Sequence, residues 1–302
     1  MSVHPIDLNF MGLAGSICCY MVPHSGGVAL VECGPGSTLP ALEKGLAAHG
    51  FAFEDVTDVL LSHIHLDHAG ASGWLARQGA RIHVHPAGAP HMLDPEKLLN
   101  SATRIYGEAM HTLWGDFLPV PEDQLFTVQD GSTINIDKLS FLALEVPGHA
   151  NHHHVYFLSD GPDRVCFSGD IGGVRLQGAN HIRLPMPPPE FHLELWRASL
   201  MRIQAQPITH IAPTHFGLFN DPQWHLAAVW RALDEVETWI DQIMPQDPPI
   251  EELVARFLEW TTQRSQVEGL DQSLVEAYEA ANPSPMSAYG IQRYWRKHRH
   301  PA

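Results

Sequence analysis

Short apolar runs separated by polar breaks dominate the first 85 residues. Residues 3–10, 16–23 and 27–33 read as the first three strands of a sheet. Gly34-Pro35-Gly36-Ser37 is a turn, and Ser37 or Thr38 can cap a helix running to about residue 49. The run Val56-Thr57-Asp58-Val59-Leu60-Leu61 predicts a buried strand, followed by a helix over 69–78 and a strand over 81–85. There the regular alternation stops. Residues 86–121 are mostly helical by pattern, with Tyr106, Met110, Leu113, Trp114 and Phe117 spaced to form one apolar face. The plain reading is a helical insertion packed on the sheet. The functional reading is a lid over a substrate pocket, with Tyr106 and Trp114 touching substrate.

Strand-like stretches return at 140–146, 165–170 and 208–212. Leu184-Pro185-Met186-Pro187-Pro188-Pro189 reads as a rigid extended connector, and residues 190–204 as an amphipathic helix. Beyond residue 220 the character changes to helices expected over 221–244, 250–263, 267–281 and 288–297, without chemical motifs. The expected organisation is therefore a catalytic domain over 1–220 and a helical extension over 221–302. Core packing is the plain role for the extension; a homodimer interface or a pocket wall is the sharper one. Arg293, Arg296, Lys297 and Arg299 suit the negative end of a last helix.

Composition narrows the field. A chain of 302 residues buries a substantial core in one large domain, or in one domain with an extension. The formal net charge of −16 argues against a nucleic-acid backbone as partner, because that binding uses Lys and Arg. Cys18, Cys19, Cys33 and Cys166 make no CxxC pair and read as reduced, buried thiols of a cytoplasmic protein. The first ten residues lack a signal-like pattern, and the apolar stretch 17–22 is too short to cross a bilayer, so no membrane role is expected.

The chemistry is concentrated where strands end. His63-Ile64-His65-Leu66-Asp67-His68 follows the strand at 56–61 directly. Imidazole and carboxylate together suit zinc or a similar divalent metal. On an extended loop alternate residues point the same way, so His63 and His65 can face one ion while Asp67 and His68, at a helix start, face a second. Three further strands each end in one metal-competent side chain: Pro147-Gly148-His149, Ser168-Gly169-Asp170 and Pro213-Thr214-His215.

With these motifs in this order, residues 1 to about 220 resemble the metallo-β-lactamase superfamily of hydrolases, in its glyoxalase II and lactonase-like branch. The resemblance implies an α+β fold, a four-layer αββα sandwich with a two-metal site at one edge. It implies that His63, His65 and His149 hold one metal, that Asp67, His68 and His215 hold the other, and that Asp170 bridges them. Two Zn2+ ions are the implied cofactor, with Fe or Mn as substitutes, and a hydroxide would lie between them. Zinc lowers the pKa of bound water to about 7, which makes hydroxide available at neutral pH. Asp67 and Asp170 are the implied catalytic carboxylates, and Asp67 can also carry a proton. Where the family usually has Asp-x-Gly after an early strand, this chain has Glu32-Cys33-Gly34, so the carboxylate that orients a ligand histidine is one methylene longer. The drug-hydrolysing branch usually carries a Cys near the position of Asp170 and a signal peptide; neither is seen, and antibiotic hydrolysis is not expected.

The expected reaction is hydrolysis of a small-molecule carboxylic ester, thioester or lactone. The alternatives are a phosphodiesterase of the same fold and a mononuclear-iron persulfide dioxygenase. Arg175, just after the Asp170 motif, either meets a substrate carboxylate or pairs with a surface acid. Of the remaining histidines, His153 is given at most a minor role near the pocket, while His83 and His85 are read as structural.

Overall fold

The computed structural model describes residues 3–299. Among these residues eleven strands form two sheets. The first contains β1 (His4–Asp7), β2 (Cys18–His24), β3 (Gly27–Val31), β4 (Val56–Leu60), β5 (Arg81–Val84) and β6 (Leu125–Thr127), in chain order. β1, β2 and β3 pair antiparallel, and β3 to β6 run parallel. The second contains β7 (Thr133–Ile136), β8 (Leu139–Glu145), β9 (His154–Asp160), β10 (Asp163–Phe167) and β11 (His210–Ala212), ordered β11-β10-β9-β8-β7. It is antiparallel except for β10 and β11, which run parallel.

The layering follows from strands that are apolar on both faces. In β2, Cys19 and Met21 point to one core while Cys18, Tyr20 and Val22 point to another; in β3, Val28 and Leu30 oppose Ala29 and Val31 in the same way. Side chains alternate along a strand, so continuous apolar runs need cover on both sides. The inner core joins the sheets through Tyr20, Val31, Phe141, Tyr156 and Phe167. The outer face of the first sheet is covered by α1 (Leu39–Ala48), α2 (Leu66–Ala69), α3 (Ser72–Arg77), α4 (Ala89–Leu93), α5 (Glu96–Tyr106) and α6 (Met110–Trp114). That of the second is covered by α7 (Leu193–Gln204), α8 (Pro222–Ile243), α9 (Ile250–Val267) and α11 (Ser284–Tyr294); α10 (Gln272–Ala281) adds Val275 and Tyr278 to the inner core. The result is the expected αββα sandwich with a helical C-terminal region.

Several boundaries differ from expectation. The single helix expected over 69–78 is two short ones. The His68 carbonyl accepts from the N–H groups of Cys33 and Gly34 (3.0 and 3.1 Å) instead of continuing a helical ladder. α9 runs on to Val267, and Asp271 caps α10 by accepting from the Leu274 N–H (2.9 Å). The last helix starts at Ser284, with Pro285 in its first turn where a missing N–H costs nothing. The change of character at residue 220 is not a break in the core, since α8, α9 and α11 pack on α7 and the second sheet within one apolar cluster. Among the described residues no helix is long and apolar enough to cross a membrane.

Candidate metal centre

Strand direction explains why distant residues meet. β8 and β10 both run antiparallel to β9, and β11 runs parallel to β10, so all three end at one edge. The loops leaving them carry His149, Asp170 and His215. The end of β4 reaches the same edge of the first sheet, where the Ser62 carbonyl accepts the His154 N–H (2.7 Å) and the Leu61 carbonyl accepts the Tyr156 hydroxyl (2.8 Å). Two glycines make the approach close enough. Gly148 (φ 144°) brings its loop so near α7 that a Cβ would sit 2.5 Å from Trp196 Cα. Gly169 (φ 52°) turns the chain in the left-handed region, where a Cβ would lie 2.7 Å from both His153 Nε2 and Ser62 Oγ.

The side chains fall into two groups with metal-ligand spacing: His63, His65, His149 and Asp170, and Asp67, His68 and His215. In the first, His63 Nε2, His65 Nδ1 and His149 Nε2 form a triangle with sides of 2.8, 3.0 and 3.2 Å. Asp170 has an oxygen on each group. Its Oδ2 lies 3.2 Å from His149 Nε2, and its Oδ1 lies 3.3 Å from His68 Nε2 and 3.4 Å from His215 Nε2. Asp67 Oδ2 lies 3.4 Å from His215 Nε2 and 3.6 Å from His68 Nε2.

Whether these residues fit metal ions is decided by their protons. His149 Nδ1 donates to the Pro185 carbonyl and His215 Nδ1 to the Ser16 carbonyl, both at 2.8 Å. In the neutral rings each Nε2 is then a bare lone pair, and each faces carboxylate oxygens that also only accept. Acceptor facing acceptor at 3.2–3.4 Å is repulsive unless positive charge lies between. The histidine triangle has the same character, and its sides approach the roughly 3.3 Å edge of a tetrahedron with bonds of about 2.0–2.1 Å to nitrogen. Asp170 Oδ1 and both ring nitrogens of His68 are buried without an aligned hydrogen bond. Burial holds His63 and His65 well below the usual histidine range, and neighbouring rings add to it. Burial also opposes charging of His68 and His215, but Asp170 and Asp67 outweigh it and raise both. The cluster thus draws in positive charge, and the donor set suits divalent cations.

Supporting groups surround it. Glu32, in the left-handed region (φ 63°), aims a buried carboxylate at His68: its Oε1 lies 3.2 Å from His68 Nδ1 and accepts from the Thr214 hydroxyl (3.2 Å), while Oε2 accepts the Ser62 N–H (3.3 Å). The longer side chain reaches the histidine through an altered backbone, at a conformational cost typical of functional sites, of order 1–3 kcal/mol. His153 lies behind the cluster, where its Nε2 accepts the Asp170 N–H (3.1 Å). The carbonyls of Ser16 and Pro185 carry no sequence signal, because any residue supplies a carbonyl. His83 is bound to Asp58 (2.7 Å), apart from the site. Arg175 is on the acid rather than in the pocket: both terminal nitrogens donate to Asp221 (2.6 and 2.8 Å), and its guanidinium packs over Phe219 and Trp224.

A cavity of about 290 Å³ opens on the cluster, with His65, Asp67, His149, Asp170 and His215 in its floor. Tyr106 and Trp114 both line it, with ring centroids 5.1 Å apart. Burial, and then the charge of Asp67, pushes the Tyr106 hydroxyl up to about 12, so it stays protonated.

Comparison with known proteins agrees with this architecture. The chain is 26% identical over 212 residues to the endoribonuclease YSH1 of Eremothecium gossypii, covering 63% of this chain and 27% of that protein. It is 22% identical over 196 residues to the atrochrysone carboxyl ACP thioesterase dmxR1 of a Cryptosporiopsis species, covering 64% of this chain and 48% of that protein. The chain spans about a quarter to a half of the length of these relatives. Among solved structures, a metallo-β-lactamase family protein from Thermus thermophilus superposes with a TM-score of 0.62 at 22% identity, over 98% of this chain and 93% of that one. An archaeal superfamily protein from Sulfolobus tokodaii gives 0.61 at 20% identity, over 76% and 85%. The model of the metallo-β-lactamase superfamily matches residues 13–215, a span that contains every member of the cluster. This chain therefore belongs to the metallo-β-lactamase superfamily.

Proposed function

We propose that the protein is a two-cation hydrolase acting on a small-molecule carboxylic ester, thioester or lactone. The observation that carries this reading is the division of Asp170 between the two groups, one oxygen on each. His63, His65 and His149 would hold one cation, and Asp67, His68 and His215 the other, with Asp170 shared. Divalent cations there, zinc by preference with iron or manganese as substitutes, would supply acidified water near neutral pH and charge that stabilises a developing oxyanion.

The chain's own residues prepare that site. The Pro185 and Ser16 carbonyls lock two rings with their lone pairs turned inward. Glu32 would orient His68 electrostatically, with its carboxylate 3.2 Å from Nδ1. Of the two carboxylates in the cavity floor Asp67 is the more open, with a side chain about 25% exposed, and is placed to carry a proton to a leaving group. Similarity to a thioesterase supports acyl chemistry, and similarity to an endoribonuclease supports the phosphodiester rival. The lining favours the acyl reading: among the described residues none around the cavity is Lys or Arg, the side chains a phosphodiester backbone calls for. A single-iron dioxygenase site would leave the second group, Asp67, His68 and His215, without a task.

Elemental analysis of the purified protein, with a panel of lactones, thioesters and phosphodiesters, tests the reading. The expected result is about two metal equivalents and turnover of acyl substrates. Full activity in metal-free protein, or turnover of phosphodiesters alone, overturns it.

A further inference from the structure

The walls of the cavity differ in chemistry from its floor. α5 and α6 contribute Leu98, Ile105 and Leu113, while the 185–189 connector, the end of α10 and the start of α11 contribute Met186, Ala281 and Met286. Outside the His/Asp floor and the Tyr106 hydroxyl, the polar side chains of the lining are Ser16, Ser101, Asn282 and the indole N–H of Trp114, a neutral donor without a partner among the described residues. Two of these are already engaged: the Ser16 hydroxyl donates to the Leu13 carbonyl (2.8 Å) and the Asn282 amide to the Leu184 carbonyl (3.0 Å). Among the described residues no Lys, Arg, Asp or Glu lines the walls above that floor. Arg175 is committed to Asp221 and Arg183 to Glu279, and Arg293, whose Nε donates to the Pro189 carbonyl (3.2 Å), does not itself line the cavity. A charged substrate arm would lose its hydration here without finding a partner of opposite charge, whereas an apolar arm gains from leaving water.

We infer that the substrate carries a neutral, apolar arm beside its hydrolysable bond, seated between the α5–α6 insertion and the C-terminal turn at 280–286. This deepens the acyl-hydrolase reading and rests on it for the nature of the bond. A volume of 290 Å³, at about 30 Å³ for a water-sized group, accommodates roughly eight to ten such groups, the hydrolysable group and its arm together. The small side chains of Ala280 and Ala281 leave this room open. The C-terminal helices thereby set specificity for a site whose ligands all lie before residue 216.

Straight-chain methyl ketones of four to twelve carbons test this, because they have no leaving group and report binding alone. Titrations of the metal-loaded protein are read by tryptophan fluorescence, with Trp114→Phe as the signal control. The expected Kd falls about fourfold per added methylene and levels off near eight to ten carbons. A carboxylate added at the far end of the chain weakens binding at least tenfold. Ala281→Trp moves the plateau to shorter chains. Should that variant fail to fold, Ile105→Glu, at a position 50% exposed, weakens the ten-carbon ketone by at least tenfold. A Kd independent of chain length, or tighter binding of the terminal carboxylate, overturns the inference. Chain-length-dependent binding in a protein that hydrolyses no acyl substrate leaves the arm standing and removes the hydrolase reading. Acyl hydrolysis with binding indifferent to chain length does the reverse.

Discussion

Two buried clusters in this molecule are built from histidine and aspartate, and they are opposites. Around Asp58 every contact is donor to acceptor: Oδ1 accepts from His83 (2.7 Å), and Oδ2 accepts from Arg81 and from the Thr57 hydroxyl (both 2.8 Å). Burial works against the charge of Asp58, but the hydrogen bonds from His83 and Arg81 win and hold it below the usual carboxylate range. Around Asp170, among the described residues, no Lys or Arg is paired, and the Nε2 atoms of His149 and His215, lone pairs in the neutral rings, face its oxygens. Residue type does not distinguish the two; the count of donors against acceptors does. A cluster that closes that count holds the fold together. One that leaves it open has the side chains of a cation site.

The largest effect expected from this contrast is at Asp170. Asp170→Ala should lower turnover roughly a thousandfold or more, equivalent to about 4 kcal/mol of activation free energy, and reduce the metal content. Steady-state kinetics with elemental analysis checks both, and His65→Ala should share the phenotype. Glu32→Ala leaves all seven proposed ligands in place but removes the carboxylate beside His68. Metal affinity measured by competition with a chelator should fall about 10–100-fold, as is usual for groups that orient a ligand histidine. Retention of wild-type affinity would show that Glu32 serves only the fold.

At the closed cluster the loss should be of stability instead. Asp58→Ala strands Arg81 and His83 and should cost about 2–3 kcal/mol in denaturant unfolding, with metal content unchanged. The smallest effect is on pH dependence. Because the folded pKa of Asp58 lies below its unfolded value of about 3.9, its contribution is complete above that pH and is lost as the pH falls through the folded value. The stability gap between wild type and Asp58→Asn should therefore narrow as the pH drops from 6 to 3. A gap that widens on acidification would contradict the assignment.

Much of this was legible in the sequence. Residues 63–68 concentrate four metal-competent side chains in six positions after an apolar strand, and His149, Asp170 and His215 each follow a strand of the other sheet. Glu32 was legible as a longer replacement for an aspartate. The gaps have physical causes. β6 is three residues long and largely exposed at Phe126, too short for a period to show. The carbonyls of Ser16 and Pro185 belong to the backbone. Met186, Ala281 and Met286 were invisible as cavity wall, because apolar residues facing a void and apolar residues facing a core look the same in a sequence. Arg175 was ambiguous until the fold brought Asp221, 46 residues away, to its guanidinium.

Metal stoichiometry measured in parallel on wild type, Asp170→Ala and Asp58→Ala tests the central distinction most directly. The account predicts about two equivalents in wild type, a clear loss in Asp170→Ala, and an unchanged value in the less stable Asp58→Ala. Metal retained in full by Asp170→Ala, or lost from Asp58→Ala while that variant is still folded, would contradict it.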